Sequence, residues 1–222
     1  MSQNARDLLL LLVLHPEGMT KEEIGEIFWI DSTPAELKLR FKNTIYRLRH
    51  AAGKDAVLFE DEIYTFNRGM DYEADFENFI HSLRQAKRAH TEEERVKLLN
   101  SAVKLYKGYF APDIAEHWAT TERERFHQQA LEAMVSLAEL QLKRGELNNM
   151  LVTAQTLLDF DPTHETMVCL VMRAQAASGN LVAVMQQYDQ FKRVLYKEIG
   201  ARPSPQTRSL FENLTRARRI TR

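Results

Sequence analysis

At 222 residues the chain exceeds one minimal domain and suits two, each with a core of its own. Hydrophobic residues at 44% and charged residues at 27% match an ordinary soluble globular protein and exclude a disordered or membrane-embedded one. The formal net charge of −1 exerts no molecule-wide pull on nucleic acid, so any such binding requires a local concentration of cations.

Residues 5–14 read as a nearly continuous apolar helix, stopped by the turn His15, Pro16, Glu17, Gly18. Its longest apolar run, Leu8 to Leu14, falls far short of the roughly 20 residues that span a bilayer, and it lacks a cleavage site. A cytoplasmic location and no membrane partner are expected. Thr20 with Glu23 forms a capping box for a second helix, in which Ile24, Ile27 and Phe28 fall at helical spacing.

Thr33 with Glu36 repeats the box, and Pro34 occupies the first helical position, where its missing N–H costs nothing. This third helix is expected over residues 34–50. Leu37, Phe41, Thr44, Ile45 and Leu48 share its inner face at 3.6-residue spacing; Leu39, Asn43, Tyr46 and His50 point outward, flanked by Lys42 and Arg47. Residues 33–54 carry Lys38, Arg40, Lys42, Arg47, Arg49 and Lys54 against Glu36 alone, whereas residues 1–32 carry two basic and six acidic side chains. Phosphates demand cations and base edges demand forked donors and acceptors. Three short helices with a basic, amide- and aromatic-bearing third one therefore read as a helix-turn-helix for double-stranded DNA. Its expected contacts are Lys38, Arg40, Lys42, Asn43, Tyr46, Arg47, Arg49 and His50. A solvated amphipathic helix is the alternative for such a segment taken alone.

Val57 to Phe59 and Ile63 to Phe66 are β-prone runs separated by Glu60, Asp61 and Glu62, reading as a hairpin wing. Three carboxylates at its turn would be repelled by phosphate, so the wing is not expected to grip DNA tightly.

From Asp71 onward the pattern is helical, with no strand, and Gly108, Gly145, Gly179 and Gly200 fall at helix junctions. Residues 73–89 and 91–106 form a pair, the second opened by a Thr91–Glu94 box; the run Glu92 to Glu94 suits a helix dipole better than a metal or catalytic site. Gly145 and Gly179 lie one tetratricopeptide period apart. Each precedes an amphipathic helix: Leu147, Leu151, Ala154 and Leu158, then Leu181, Val184, Tyr188 and Phe191. In that register Pro162 ends its repeat and Ala138 takes a close-packed position, while Met150 and Val184 stand where the repeat prefers a small residue, so an imperfect superhelix is expected. The single cysteine, Cys169, excludes an internal disulfide and reads as core. Arg216, Arg218, Arg219 and Arg222 complement a helix end rather than forming a second phosphate contact.

Nothing marks an enzyme. No glycine-rich phosphate loop, zinc-protease helix or nucleophile elbow occurs, and the seven histidines lack ligand spacing, with His117 and His127 ten residues apart on one helical stretch. No catalytic, cofactor-binding or metal-binding residue is expected.

The chain resembles the antibiotic regulatory proteins of actinomycetes (SARP type), whose winged helix precedes a bacterial transcriptional activator domain. In the head the likeness rests on the apolar first helix, the Glu22 to Trp29 stretch, and Tyr46, Arg47, Leu48 and Arg49. Beyond it stand Asp75, Phe76, Leu105, Tyr106, Gly108 and Phe110, with Trp118 and Arg125. Later come Asp161, Pro162 and Glu165; Met172, Gly179 and Tyr188; and Glu198, Ile199, Gly200, Pro203, Ser204 and Thr207. The resemblance implies that helix 34–50 reads DNA, usually as direct repeats, and that the protein helps recruit RNA polymerase. It also implies a β-sheet ahead of the first helix; here that helix begins almost at Met1, which leaves a piece of a longer protein or a reduced head as the expected alternatives.

The fold class expected is therefore mainly α: a winged helix-turn-helix with a short hairpin wing over 1–70, then a tetratricopeptide-like helical domain over 71–222. The function expected is a DNA-binding regulator, an activator, whose helical domain dimerises or contacts polymerase or another protein. The alternative is an interaction module of a larger regulator with a structural, non-DNA-binding head.

Overall fold

In the computed structural model the described residues are 1–216. Arg218, Arg219 and Arg222 lie outside them. The chain divides into two compact units, Met1–Ala74 with Phe110–Glu124, and Asp75–Tyr109 with the chain from Arg125 on.

The first unit opens with helix α1 (Gln3–Leu14), whose Ala5, Leu8, Leu11 and Leu12 are wholly buried. Each such leucine contributes about 1.5–3 kcal/mol relative to exposure. After the expected turn comes strand β1 (Met19–Thr20), then helix α2 (Lys21–Phe28). The Thr20 box closes in both directions: Thr20 Oγ1 accepts from the Glu23 amide at 3.2 Å, and Glu23 Oε2 accepts from the Thr20 amide at 2.7 Å. Helix α3 (Pro34–Ala52) starts on the same device, with the Thr33 amide donating to Glu36 Oε2 at 2.9 Å. Gly25 allows α2 and α3 to meet, since a Cβ there would lie 2.6 Å from Leu37 Cδ1.

Strands β2 (Val57–Glu60) and β3 (Ile63–Phe66) form the hairpin, and the sheet order is β1-β3-β2, all antiparallel. Two features differ from expectation. Glu60 is a strand residue opposite Ile63, so the turn is only Asp61 and Glu62, both left-handed at φ 48° and 63°. That is the tight turn whose twist matches the strands. The two-residue β1 adds a third strand, Met19 opposite Tyr64 and Thr20 opposite Ile63. The core gathers Leu8, Leu12, Ile24, Phe41, Ile45 and Leu48 around Ala56 and Val57.

The first unit also takes in 110–124, a segment expected to belong with the helical remainder. Ile114 is buried, Arg6 Nη1 donates to Asp113 Oδ2 at 2.6 Å, and the Phe28 and Trp118 rings lie 6.5 Å apart. Arg123 shapes the segment by donating to the carbonyls of Phe110 and Ile114 at 2.9 and 2.8 Å. Asp7, also buried, accepts from Arg6; burial pushes its carboxyl up although the guanidinium pulls it back.

The second unit is helical: α4 (Asp75–Arg88), α5 (Glu92–Leu105), α6 (His117–Lys143, in this unit from Arg125), α7 (Leu147–Phe160), α8 (Glu165–Ala177), α9 (Leu181–Ile199) and α10 (Pro205–Arg216). Successive helices pack as pairs, α4 on α5, α7 on α8 and α8 on α9, and α10 closes over α8 and α9. The expected fold class holds. Pro162 follows the end of α7, Ala138 is fully buried, and so are Met150 and Val184. On α9 Val184, Tyr188 and Phe191 are buried as expected, with Tyr188 stacked on Phe211 at 4.1 Å.

On α7 the buried stripe is displaced from the expected one. It runs through Met150, Thr153, Ala154 and Leu157, leaving Leu147, Leu151 and Leu158 half-buried. Within that stripe Thr153 Oγ1 donates to the buried Gln141 Oε1 at 2.9 Å. At α5 the box is half as expected, because Thr91 caps the Glu94 amide while Glu94 Oε2 accepts from His90, not Thr91. Cys169 is half-buried on α8, 3.2 Å from Thr207 Oγ1.

Candidate nucleic-acid interface

The outer face of α3 follows from how its inner face is held. Phe41, Ile45 and Leu48 are buried against α1 and the hairpin with Thr44 buried beside them, and at 100° per residue this aims Asn43, Tyr46 and His50 at solvent. Tyr46 keeps 68% of its surface exposed, and its ring lies 6.3 Å from that of His50. Arg40 and Arg47 stand exposed on one flank, Lys38 and Lys42 on the other. Seven of the eight expected side chains thus share one open surface.

Arg49 departs from that set. It is half-buried, and its Nη2 donates to the Val57 carbonyl at 2.7 Å, while Nε is shielded without a hydrogen-bond partner. The residue fastens α3 to β2, and only part of its charge reaches the surface.

On the Lys38 and Lys42 flank the hairpin adds a wall, leaving a groove of about 700 Å³. Phe41, Tyr46, Phe59 and Tyr64 supply its apolar lining; Lys21, Lys38, Lys42, Arg49, His50 and Lys54 supply donors, and no carboxylate lines it. Tyr64 packs on Phe59 at 4.4 Å and edge-on to Phe41 at 4.7 Å. Lys21 is paired with Glu22 at 3.0 Å, a contact that raises the lysine and lowers the glutamate from their ordinary values. Lys21, Phe59 and Tyr64 were not foreseen: Lys21 sits in an acidic stretch of sequence, and only the sheet brings the two aromatics beside α3. At the hairpin's tip Glu60, Asp61 and Glu62 are all exposed, as the sequence suggested.

Among the described residues no cluster of three or more His, Cys, Asp or Glu could hold a metal ion, and no helix is long and apolar enough to cross a membrane. Tyr106 and His127 form a 2.8 Å hydrogen bond, and burial pushes the phenol up to about 12, which leaves it neutral and structural.

Residues 74–215 match the family model of the bacterial transcriptional activator domain. The chain belongs to that family. Regulatory protein AfsR of Streptomyces griseus is 24% identical over 221 residues, covering 97% of this chain but 22% of AfsR. Transcriptional regulatory protein MoaR1 of Mycobacterium tuberculosis is 22% identical, covering 94% of this chain and 70% of MoaR1. The chain thus spans about a fifth of AfsR and somewhat over two thirds of MoaR1. The structure of Mycobacterium tuberculosis EmbR in complex with a low affinity phosphopeptide superposes with a TM-score of 0.77 at 16% identity, over 98% of this chain and 60% of EmbR. At that identity the likeness establishes the fold, and it extends across both units of this bacterial transcriptional activator domain protein. The expected kinship with SARP-type regulators is borne out. Family and relatives alike are transcription regulators, not enzymes.

Proposed function

We propose that this chain binds double-stranded DNA by laying the outer face of α3 in the major groove. The second unit then contacts RNA polymerase, another protein or a second copy of the chain so that transcription is activated. An α-helix with its side chains, about 10–12 Å across, matches a groove about 12 Å wide. The observation that carries the reading is that Lys38, Arg40, Lys42, Asn43, Tyr46, Arg47 and His50 stand exposed on one helix whose opposite face is buried. Asn43 can fork to an adenine edge, while Lys42 and Arg47, on opposite flanks, can reach the two phosphate backbones.

The test is fluorescence anisotropy with genomic fragments enriched by the protein, over a salt series. Each phosphate contact contributes about 0.9 to the slope of log affinity against log salt. Lys42→Ala with Arg47→Ala should flatten the slope by roughly 1.8. An unchanged slope and affinity in that variant removes α3 from the interface.

A second reading, an interaction module with a structural head, draws support from the carboxylates of Glu60, Asp61 and Glu62, which would meet phosphate unfavourably. It predicts no retardation of any genomic fragment and recovery of a protein partner from nuclease-treated lysate.

A further inference from the structure

We propose that the pocket framed by α4, α5 and α6 in the second unit anchors an acidic side chain from a peptide segment of a partner protein. This rests on the partner-binding half of the reading above and is independent of DNA binding. The pocket holds about 230 Å³. That is below the roughly 300–1,000 Å³ that enclose a drug-sized ligand or cofactor, and it suits one side chain with its adjoining backbone. Its apolar floor is Leu83, Ala86, Leu99 and Ala133, which can take the methylenes of a glutamate.

Arg84 and Lys87 from α4, Arg95 from α5 and Arg125 from α6 surround that floor, against Glu132 alone. Glu132 already accepts a hydrogen bond from Gln128 at 3.1 Å. Elsewhere on this unit cations meet carboxylates directly, as Lys143 does Glu92, Arg144 does Glu146 and Lys192 does Asp189. Among the described residues Arg84, Lys87 and Arg95 have no carboxylate within ion-pairing distance. Guanidinium forks bind carboxylates bidentately, which gives the pocket a preference for acid over a merely polar group.

A second feature points to a peptide rather than a free anion. The floor of Leu83, Ala86, Leu99 and Ala133 has nothing to offer a small inorganic anion, whereas a glutamate of a peptide sets its methylenes on that floor and its carboxylate among the arginines.

The experiment titrates the full chain, followed by backbone amide NMR, with an end-blocked octapeptide alternating glutamate and leucine. The same peptide with lysine for glutamate, and citrate at matched ionic strength, serve as comparisons. Shifts confined to the amides around Leu83, Arg84, Arg95, Leu99 and Gln129, with the acidic peptide only, are expected. Arg84→Glu with Arg95→Glu should weaken binding at least ~10-fold, and Lys97→Glu, exposed on α5 outside the pocket, should leave it within about twofold. Circular dichroism verifies folding; should the double glutamate variant unfold, Arg84→Gln with Arg95→Gln carries the same expectation. Equal shifts with citrate, equal loss in Lys97→Glu, or no shift in the pocket overturns the proposal. Shifts elsewhere on the second unit would do so while leaving partner binding by that unit intact.

Discussion

The hairpin turn offers a perturbation in which strain and charge separate. Glu62 sits at φ 63° in a two-residue turn beside Asp61 at φ 48°. Aspartate tolerates the left-handed region, while for glutamate it costs about 1–2 kcal/mol. Glu62→Gly removes that cost and gives back about 0.5–1 kcal/mol through glycine's greater freedom when unfolded. Taking the middle of each range, the net gain is about 0.75 kcal/mol, or roughly 3–6 °C in the melting of a unit this size. The assay is built into the chain: both tryptophans, Trp29 and Trp118, lie in the first unit, so intrinsic fluorescence follows that unit's unfolding. Glu62→Gln is the control, because it removes the carboxylate and keeps the strain. Glycine should raise the melting temperature above both glutamine and the parent, and the two variants should tighten DNA binding at low salt equally. Equal melting of the glycine and glutamine variants would refute the strain argument.

Gly18→Ala should destabilise the first unit by about 2–4 kcal/mol, since the position is left-handed at φ +80° and a Cβ would fall 2.4 Å from Ile63 Cγ2 and 2.8 Å from the Tyr64 carbonyl oxygen. The same fluorescence melt reads it. Thr33→Ala should cost about 1 kcal/mol by uncapping α3. The Thr33 amide and hydroxyl hold the Glu36 carboxyl below its ordinary value, so its contribution is present at neutral pH. That contribution is lost as pH falls from the ordinary glutamate range through the depressed folded one. Denaturation of Glu36→Gln across about pH 5 to 3 should show a shallower acid dependence than the parent. Tyr106, raised to about 12 by burial, should ionise well above the ordinary phenol value in an absorbance titration, and Tyr106→Phe should abolish that step. Being neutral in the fold, it contributes stability that is lost as pH rises from the ordinary phenol value through about 12.

What the sequence made legible was local. The boxes at Thr20 and Thr33 join residues three apart, and the inner face of α3 repeats at a helical period, so neither needs the rest of the chain. Strand β1 has two residues, too few for an alternating pattern, and exists because β3 lies beside it. Segment 110–124 joins the first unit through Arg6 and Phe28, more than 85 positions away in the chain. On α7 the apolar arc is wider than the stripe that is buried, and that Thr153 lies within the stripe, meeting Gln141, depends on where α6 ends.

The candidate site divides the same way. The exposure of Lys42, Asn43, Tyr46 and Arg47 follows from one helix's periodicity. The hold of Arg49 on Val57 required knowing where β2 lies, and so did the aromatic wall of Phe59 and Tyr64. Equally, the cations around Leu83 come from three helices and form no run in the sequence.

Entry of α3 into the major groove is tested most directly by methylation protection on an enriched fragment, because dimethyl sulfate attacks guanine N7 there and adenine N3 in the minor groove. Bound protein should shield guanine N7 positions, and Asn43→Ala with Arg47→Ala should relieve the shielding. Protection of adenine N3 alone, or guanine protection that survives the double substitution, would contradict it.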